Sequence, residues 1–282
     1  MDLAKEEHLL HAAHEGRLNI VIHLVDLGVN PNWRRFDGTT PLFAACQAGH
    51  LQVAQYLLQL PGIEPDIPNF EKATPLLAAC AFKHVEVVSL LLGDPRVFPD
   101  PADREGCTPL YLACQEGCVG AVRLLLDDSR VNVNRVSNAG TSPFNSACQE
   151  GHLGVVEVML EDLRVDVNRA TDQGATPLYM AAQEGHLEIV RRILASGREV
   201  DTRRRMETED PVENGRNAAE WARLLGSIQK PEWMEDEIHE RAKVLGPTIA
   251  DLIEAYEKDS VMTRHRIRQL PHLRSEDCSP FP

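Results

Sequence analysis

Aromatic residues make up only 5% of this 282-residue chain, so a core built on large rings is excluded. The apolar fraction is an ordinary 43%. Leu, Val, Ala and Cys must therefore supply the core, which suits thin packed layers of helices. No apolar stretch approaches the ~20 residues of a bilayer span. Met1 to Glu7 lacks the basic start and apolar centre of a secretory signal, so a cytosolic or nuclear setting is expected. Basic residues number 29 against 43 acidic ones, a net charge of −14. That balance repels phosphate backbones and anionic surfaces, so neither nucleic acid nor membrane is expected as a partner. Also missing are a Gly-Lys-Ser/Thr phosphate loop, a Gly-x-Gly-x-x-Gly turn and a Gly-x-Ser-x-Gly elbow. The carboxylates are spread over the chain with no recurring pair. No enzyme activity and no cofactor are expected.

What the chain does have is a period. Thr40-Pro41-Leu42 returns as Thr74-Pro75-Leu76, Thr108-Pro109-Leu110, Ser142-Pro143-Phe144 and Thr176-Pro177-Leu178, each 34 residues after the last. Such regularity describes a stack of copies of one small unit rather than a globule around one centre. Within a copy, Thr108 is a helix N-cap and Pro109 takes the first helical position, where a missing N–H costs nothing. Leu110 to Cys114 form a short first helix, and Gly117 ends it as a left-handed cap. Val119, Val122 and Leu124 to Leu126 give a second helix with a broad apolar face. One such pair cannot bury that face alone; stacked neighbours can.

The unit Gly-x-Thr-Pro-Leu-x-x-Ala-Cys-x-x-Gly-His, followed by Val and paired leucines, resembles the ankyrin repeat in a 34-residue variety. The resemblance covers roughly residues 4 to 228, about six copies and a degenerate seventh that begins near Gly215. It implies an all-α fold, an ankyrin-type α-solenoid of stacked antiparallel helix pairs with short β-turn fingers. It also implies protein binding along a concave side made of fingers and first helices, hence an adaptor or scaffold. A regulatory or targeting subunit of a larger enzyme assembly is the alternative. A monomer is expected.

By the same resemblance, contacts fall on finger tips and on the two residues before each helix-ending Gly. The finger tips are Phe36-Asp37, Phe70-Glu71, Arg104-Glu105, Asn138-Ala139 and Asp172-Gln173. The helix pairs include Gln115-Glu116, Gln149-Glu150 and Gln183-Glu184, an acidic stripe suited to a basic partner segment. Phe36, Phe70 and Phe82, with Trp33, are the candidate aromatic anchors. The third copy departs most: Lys72 stands in the finger Gly position and Lys83 in the helix-ending one, each costing ~1 kcal/mol. Asn168, with Leu160, Asp166 and Val167 before it, resembles the setting of asparaginyl hydroxylation.

Cys46, Cys80, Cys114 and Cys148 recur with the period. Adjacent members sit ~10 Å apart in such a stack, beyond the ~7 Å reach of a disulfide, so reduced thiols are expected. Their i, i+4 partners His50, His84, Cys118 and His152 suggest metal or nucleophile chemistry, but copies this far apart do not complete a tetrahedral site. No metal is expected; the resemblance implies that each His braces a turn. Past Gly226 the period stops. A helix from Pro231 to Val244, a break at Gly246-Pro247, and a second helix Thr248 to Lys258 are expected, forming a cap over residues 229–259. Residues 260–282 read as a basic segment, Arg264 to Arg268, and a loose tail from Ser275.

Overall fold

A computed structural model describes residues 3–208, 214–225 and 236–270. The described residues form helices and no strands, arranged as two compact units, Met1–Ala139 and Gly140–Pro282. In the first unit, α1 (Leu3–His14), α3 (Pro41–Gln47), α5 (Pro75–Ala81) and α7 (Pro109–Gln115) pack in sequence as one layer. The second layer holds α2 (Leu18–Asp26), α4 (Leu51–Leu58), α6 (Val85–Leu92) and α8 (Val119–Asp127). The second unit repeats the scheme with α9 (Pro143–Gln149) and α11 (Pro177–Gln183) beside α10 (Leu153–Glu161) and α12 (Leu187–Ala195). It closes with α13 (Ala218–Leu225), α14 (Asp236–Lys258) and α15 (Ser260–Arg268).

Local chemistry sets each start and stop. Thr40, Thr74, Thr108, Ser142 and Thr176 all accept the N–H of the residue three ahead, and Pro occupies the first turn each time. That satisfies one orphan donor at no cost from the proline. First helices are nearly all core: Leu42 to Cys46 and Leu76 to Cys80 are buried outright. Second helices bury one stripe, such as Val53, Ala54, Leu57 and Leu58. Small residues in the first layer let the helices approach closely, and the leucine stripe of the second seals them.

Between copies runs an arginine clasp. Arg96 bonds Asp94 through its own guanidinium and also donates to the Leu58 carbonyl at 2.7 Å and the Ile63 carbonyl at 3.4 Å. Arg130, held by Asp128, reaches the Val97 carbonyl at 3.4 Å. In the second unit Arg198 donates to the Val165 carbonyl at 2.6 Å. The guanidinium holds the Asp94, Asp128 and Asp162 carboxyls below the ordinary carboxylate range.

The C-terminal region differs from expectation in one respect. Gly246-Pro247 does not break the helix; α14 runs through it to Lys258. Pro247 lies on the exposed face, as does Lys243 four residues earlier, so the carbonyl that loses its donor is open to water. The basic run is helical in α15. Arg268 donates to the Ala195 carbonyl through Nε at 3.0 Å and Nη2 at 2.7 Å, and Arg264 to the Arg198 carbonyl at 2.9 Å. The expected helix start at Pro231 to Met234, the 228/229 boundary and the tail from Ser275 lie outside the described residues.

Candidate functional site

Each finger is a tight turn. Arg35 donates its N–H to Thr39 O at 2.9 Å while Gly38 donates to Arg35 O at 2.8 Å; Asn69 and Asp103 open the next two fingers in the same way. Successive fingers are stitched by main chain: Phe70 N to Asp37 O at 2.9 Å, Arg104 N to Glu71 O at 3.0 Å, Asn138 N to Glu105 O at 2.8 Å. Gly38 has φ +85°, and a Cβ there would stand 2.8 Å from Phe70 N. Glycine is required at that place by two independent constraints, handedness and the neighbouring backbone.

This stitching lines up Phe36-Asp37, Phe70-Glu71 and Arg104-Glu105 along one edge of the first unit. Phe36 is 83% exposed, Phe70 and Phe82 each 53%. The Arg35 guanidinium lies over the Phe36 ring at 5.5 Å and Arg34 over Phe70 at 5.8 Å, within cation–π range. Arg35 also grips Asp37, whose carboxyl it drives far below its ordinary range. Arg104 pairs with Glu71 at 3.7 Å. Trp33 is half-buried in the link, so it presents less surface than the three phenylalanines.

The helix-end pairs Gln115-Glu116, Gln149-Glu150 and Gln183-Glu184 sit at the C-terminal ends of α7, α9 and α11. Their backbone is engaged by histidine or arginine. His186 Nε2 lies 2.9 Å from Gln149 O, and Arg241 Nη1 lies 3.4 Å from Glu184 O. Glu116 is paired with Lys83 at 3.3 Å. Glu150 is exposed. Of the three carboxylates, Glu116 is thus compensated by a cation of its own unit.

The bracing histidines act between copies rather than within one turn. His50 Nε2 lies 2.8 Å from His14 O, and His84 Nε2 lies 3.0 Å from Gln47 O. Each ring covers the helix-ending glycine of the copy before. A Cβ at Gly16 would stand 2.5 Å from the His50 ring, and one at Gly49 2.4 Å from His84. The third copy breaks both halves of this fit together. Lys83, at φ +62°, carries the Cβ, and the following copy has Cys118 in place of the ring. Lys72 (φ +60°) and Lys83 are the left-handed non-glycine residues among those described. Asn69 Oδ1 accepts the N–H groups of Glu71 and Ala73 at 2.9 Å each, but Asp103 does the same around Gly106, so this brace is no special compensation for a lysine.

Cys46, Cys80, Cys107, Cys114, Cys118 and Cys148 are buried thiols. Burial alone pushes Cys46 and Cys114 well above the ordinary thiol range, and burial with the nearby Asp103 and Glu105 charges carries Cys107 to about 12. A thiol held protonated is a poor nucleophile and a poor ligand. Among the described residues no three His, Cys, Asp or Glu side chains come together around a metal position. The second unit has an open polar cleft of about 860 Å³ between the link around Asp201 and the α14–α15 corner, with Asn168 in its wall. Asn168 donates Nδ2 to Glu199 O and accepts from Asp201 N, both at 2.8 Å, so its amide ties adjacent links.

Sequence reading passed over the arginine clasp, although Asp94-x-Arg96, Asp128-x-Arg130 and Asp162-x-Arg164 keep the 34-residue period and could have been found by it. It also passed over Phe98, 54% exposed in a link, and over Arg34, whose partner ring lies in the next copy.

Comparison with known proteins agrees with this architecture. A family model described as ankyrin repeats matches in three copies, over residues 2–69, 60–137 and 129–204. No curated protein sequence matches. Among solved structures, the crystal structure of the human ASB11 ankyrin repeat domain is similar with a TM-score of 0.64 and 23% identity. The match covers 84% of this chain and 96% of that one. At that identity the likeness carries the fold. No helix among the described residues is long and apolar enough to cross a membrane.

Proposed function

The chain belongs to the ankyrin repeat family, and from that premise we propose that it is a non-enzymatic binding module, an adaptor or scaffold that holds a partner protein on its finger and first-helix side. Ankyrin repeats are generally protein-interaction units, a warrant by analogy. The observation that carries the reading here is the contrast within each copy. Caps and buried stripes recur in the copies from Thr40 to Thr176, and glycines in all of these but the third, while tip and helix-end positions change: Phe36, Phe70, Arg104, Asn138 and Asp172 at the tips, Ala48, Phe82 and Glu116 at the helix ends. Invariant framework with variable exposed side chains is what a surface tuned to a partner requires.

Glu150 and Glu184 with their glutamine neighbours would favour a basic segment of that partner. The working state is a monomer in the cytosol or nucleus, and α14 and α15 serve as a helical cap. The second reading, a regulatory or targeting subunit, differs only in what is held: a separate catalytic chain. Tandem affinity capture with the purified chain, read by mass spectrometry, tests both. A surface variant carrying Phe36→Ala, Phe70→Ala, Glu150→Lys and Glu184→Lys should keep its helical circular dichroism and lose the specific partners. Equal recovery of the same partners on both would sink the reading, and a co-purifying enzyme would favour the second form.

A further inference from the structure

The third copy departs from its neighbours at both ends of α5: at Lys72 in the stitched finger before it, and at Phe82 and Lys83 after it. Lys72 and Lys83 occupy left-handed positions that the other copies give to glycine. Phe82 is exposed where its counterparts are polar or small, and Cys118 has replaced the ring that would collide with a Cβ at 83. Strained backbone persists where something else selects it. Each lysine brings a cation that glycine cannot.

Those cations change the local charge of an acidic protein. Along the stitched fingers Arg34, Arg35, Lys72 and Arg104 stand beside Asp37 and Glu71. Asp37 is matched by Arg35 and Glu71 by Arg104, while at the helix ends Lys83 spends its charge on Glu116. Glu105 and Asp103 stand at the finger of the fourth copy, Asp103 already accepting two backbone N–H groups. Arg34 and Lys72 have no carboxylate partner among the described residues. Arg34 donates to Pro68 O at 2.8 Å and lies over Phe70, keeping an exposed ring and a positive charge side by side.

We propose that this edge of the first unit, Phe36 and Phe70 with Arg34 and Lys72, docks an extended segment of a partner protein in which apolar side chains alternate with carboxylates. It rests on the protein-binding reading above and gives that reading a chemistry opposite to the basic segment suited to Glu150 and Glu184. The rings supply desolvated anchor surface. The cations select the sign of the flanking residues and hasten encounter. Two repeat spacings of ~10 Å are spanned by about six extended residues at ~3.3 Å each. A single-stranded nucleic acid could also use rings beside cations, but it carries a charge on every nucleotide, more than the two unmatched cations Arg34 and Lys72 can neutralise.

The test uses the full chain and labelled synthetic peptides read by fluorescence anisotropy. One peptide alternates Leu or Phe with Glu; the controls carry Lys for Glu, or Ser for the apolar residues; oligo(dT) is the nucleic-acid arm. The acidic apolar peptide should bind, more weakly as salt rises, and lose about tenfold in affinity with Phe70→Ala, as an anchor position does. The decisive variant is Lys72→Gly. It relieves strain, so it should raise the melting temperature while weakening the acidic peptide, which a folding defect cannot do. Stronger binding of the basic peptide or of oligo(dT), no peptide binding at all, or unchanged affinity in the glycine variant would overturn the proposal. Specific partner capture alongside any of these results would leave the protein-binding reading standing and remove only this edge.

Discussion

Asp66 carries a cost that one atom explains. Its counterparts Asn32 and Asn168 each use both amide atoms: Asn32 donates Nδ2 to Gly62 O at 2.7 Å and accepts from Glu64 N at 3.1 Å. Asp66 keeps the acceptor half, taking Phe98 N at 2.8 Å, but its Oδ1 is buried with no partner. Burial, with the nearby Asp94 charge, raises the Asp66 pKa. The sign follows from that direction. A raised carboxyl contributes its full stability only below the unfolded value of ~3.9 and loses it as pH rises through the folded value. Asp66→Asn should therefore stabilise the chain by ~1 kcal/mol at neutral pH. The gain should vanish in denaturation curves taken near pH 4, where Asp66 can donate for itself.

At the scale of the element, fit between copies outweighs propensity within one. The His50–Gly16 and His84–Gly49 contacts leave no room for a Cβ, whereas Lys83 and Cys118 have exchanged both roles. Restoring only the ring, Cys118→His, should clash with the Lys83 Cβ and destabilise. Restoring only the glycine, Lys83→Gly, should stabilise by ~1 kcal/mol. Together they should be better than the sum, with a coupling of ~1 kcal/mol or more in a double-mutant cycle from urea unfolding. Additive effects would mean that the two departures are unrelated. The clasp gives a second expectation with the opposite pH sign to Asp66. Because Asp94, Asp128 and Asp162 are lowered, their contribution is complete above the ordinary carboxylate range and is lost as pH falls below it. Arg96→Ala should cost ~1 kcal/mol at neutral pH, for the bond to the part-buried Leu58 carbonyl, and measurably less in acid.

At the scale of the whole molecule, each unit is a succession of nearest-neighbour contacts, so its stability is a sum over its own copies and their interfaces. The degenerate seventh copy tests how far that sum extends. Trp221 in α13 is fully buried and stacks on Tyr179 of α11 with centroids 6.3 Å apart. If α13 is a working layer, Trp221→Ala should cost ~3–5 kcal/mol by chemical denaturation. A loss under ~1 kcal/mol would make it a loose appendage. The α14 and α15 helices then close the second unit, with Arg264 and Arg268 on the carbonyls of Arg198 and Ala195. The basic run left open by its sequence is thus at least partly spent inside the fold.

The framework was legible in the chain alone because its causes are local and repeated. A threonine cap, a proline at the first helical position and a glycine that must turn left-handed act within a few residues of themselves, and the period multiplies the signal. Glutamates at helix ends and phenylalanines at finger tips were equally visible as residues, but not their surroundings. Glu116 gains Lys83, Glu184 lends its carbonyl to Arg241, and Phe70 gains Arg34, all through neighbours a whole copy or more away. Pro247 sits inside a helix because its face meets water, which no local rule records. Side chains more than thirty residues apart in sequence meet only once the copies are stacked, and that stacking decided which charges are spent and which are left to meet a partner.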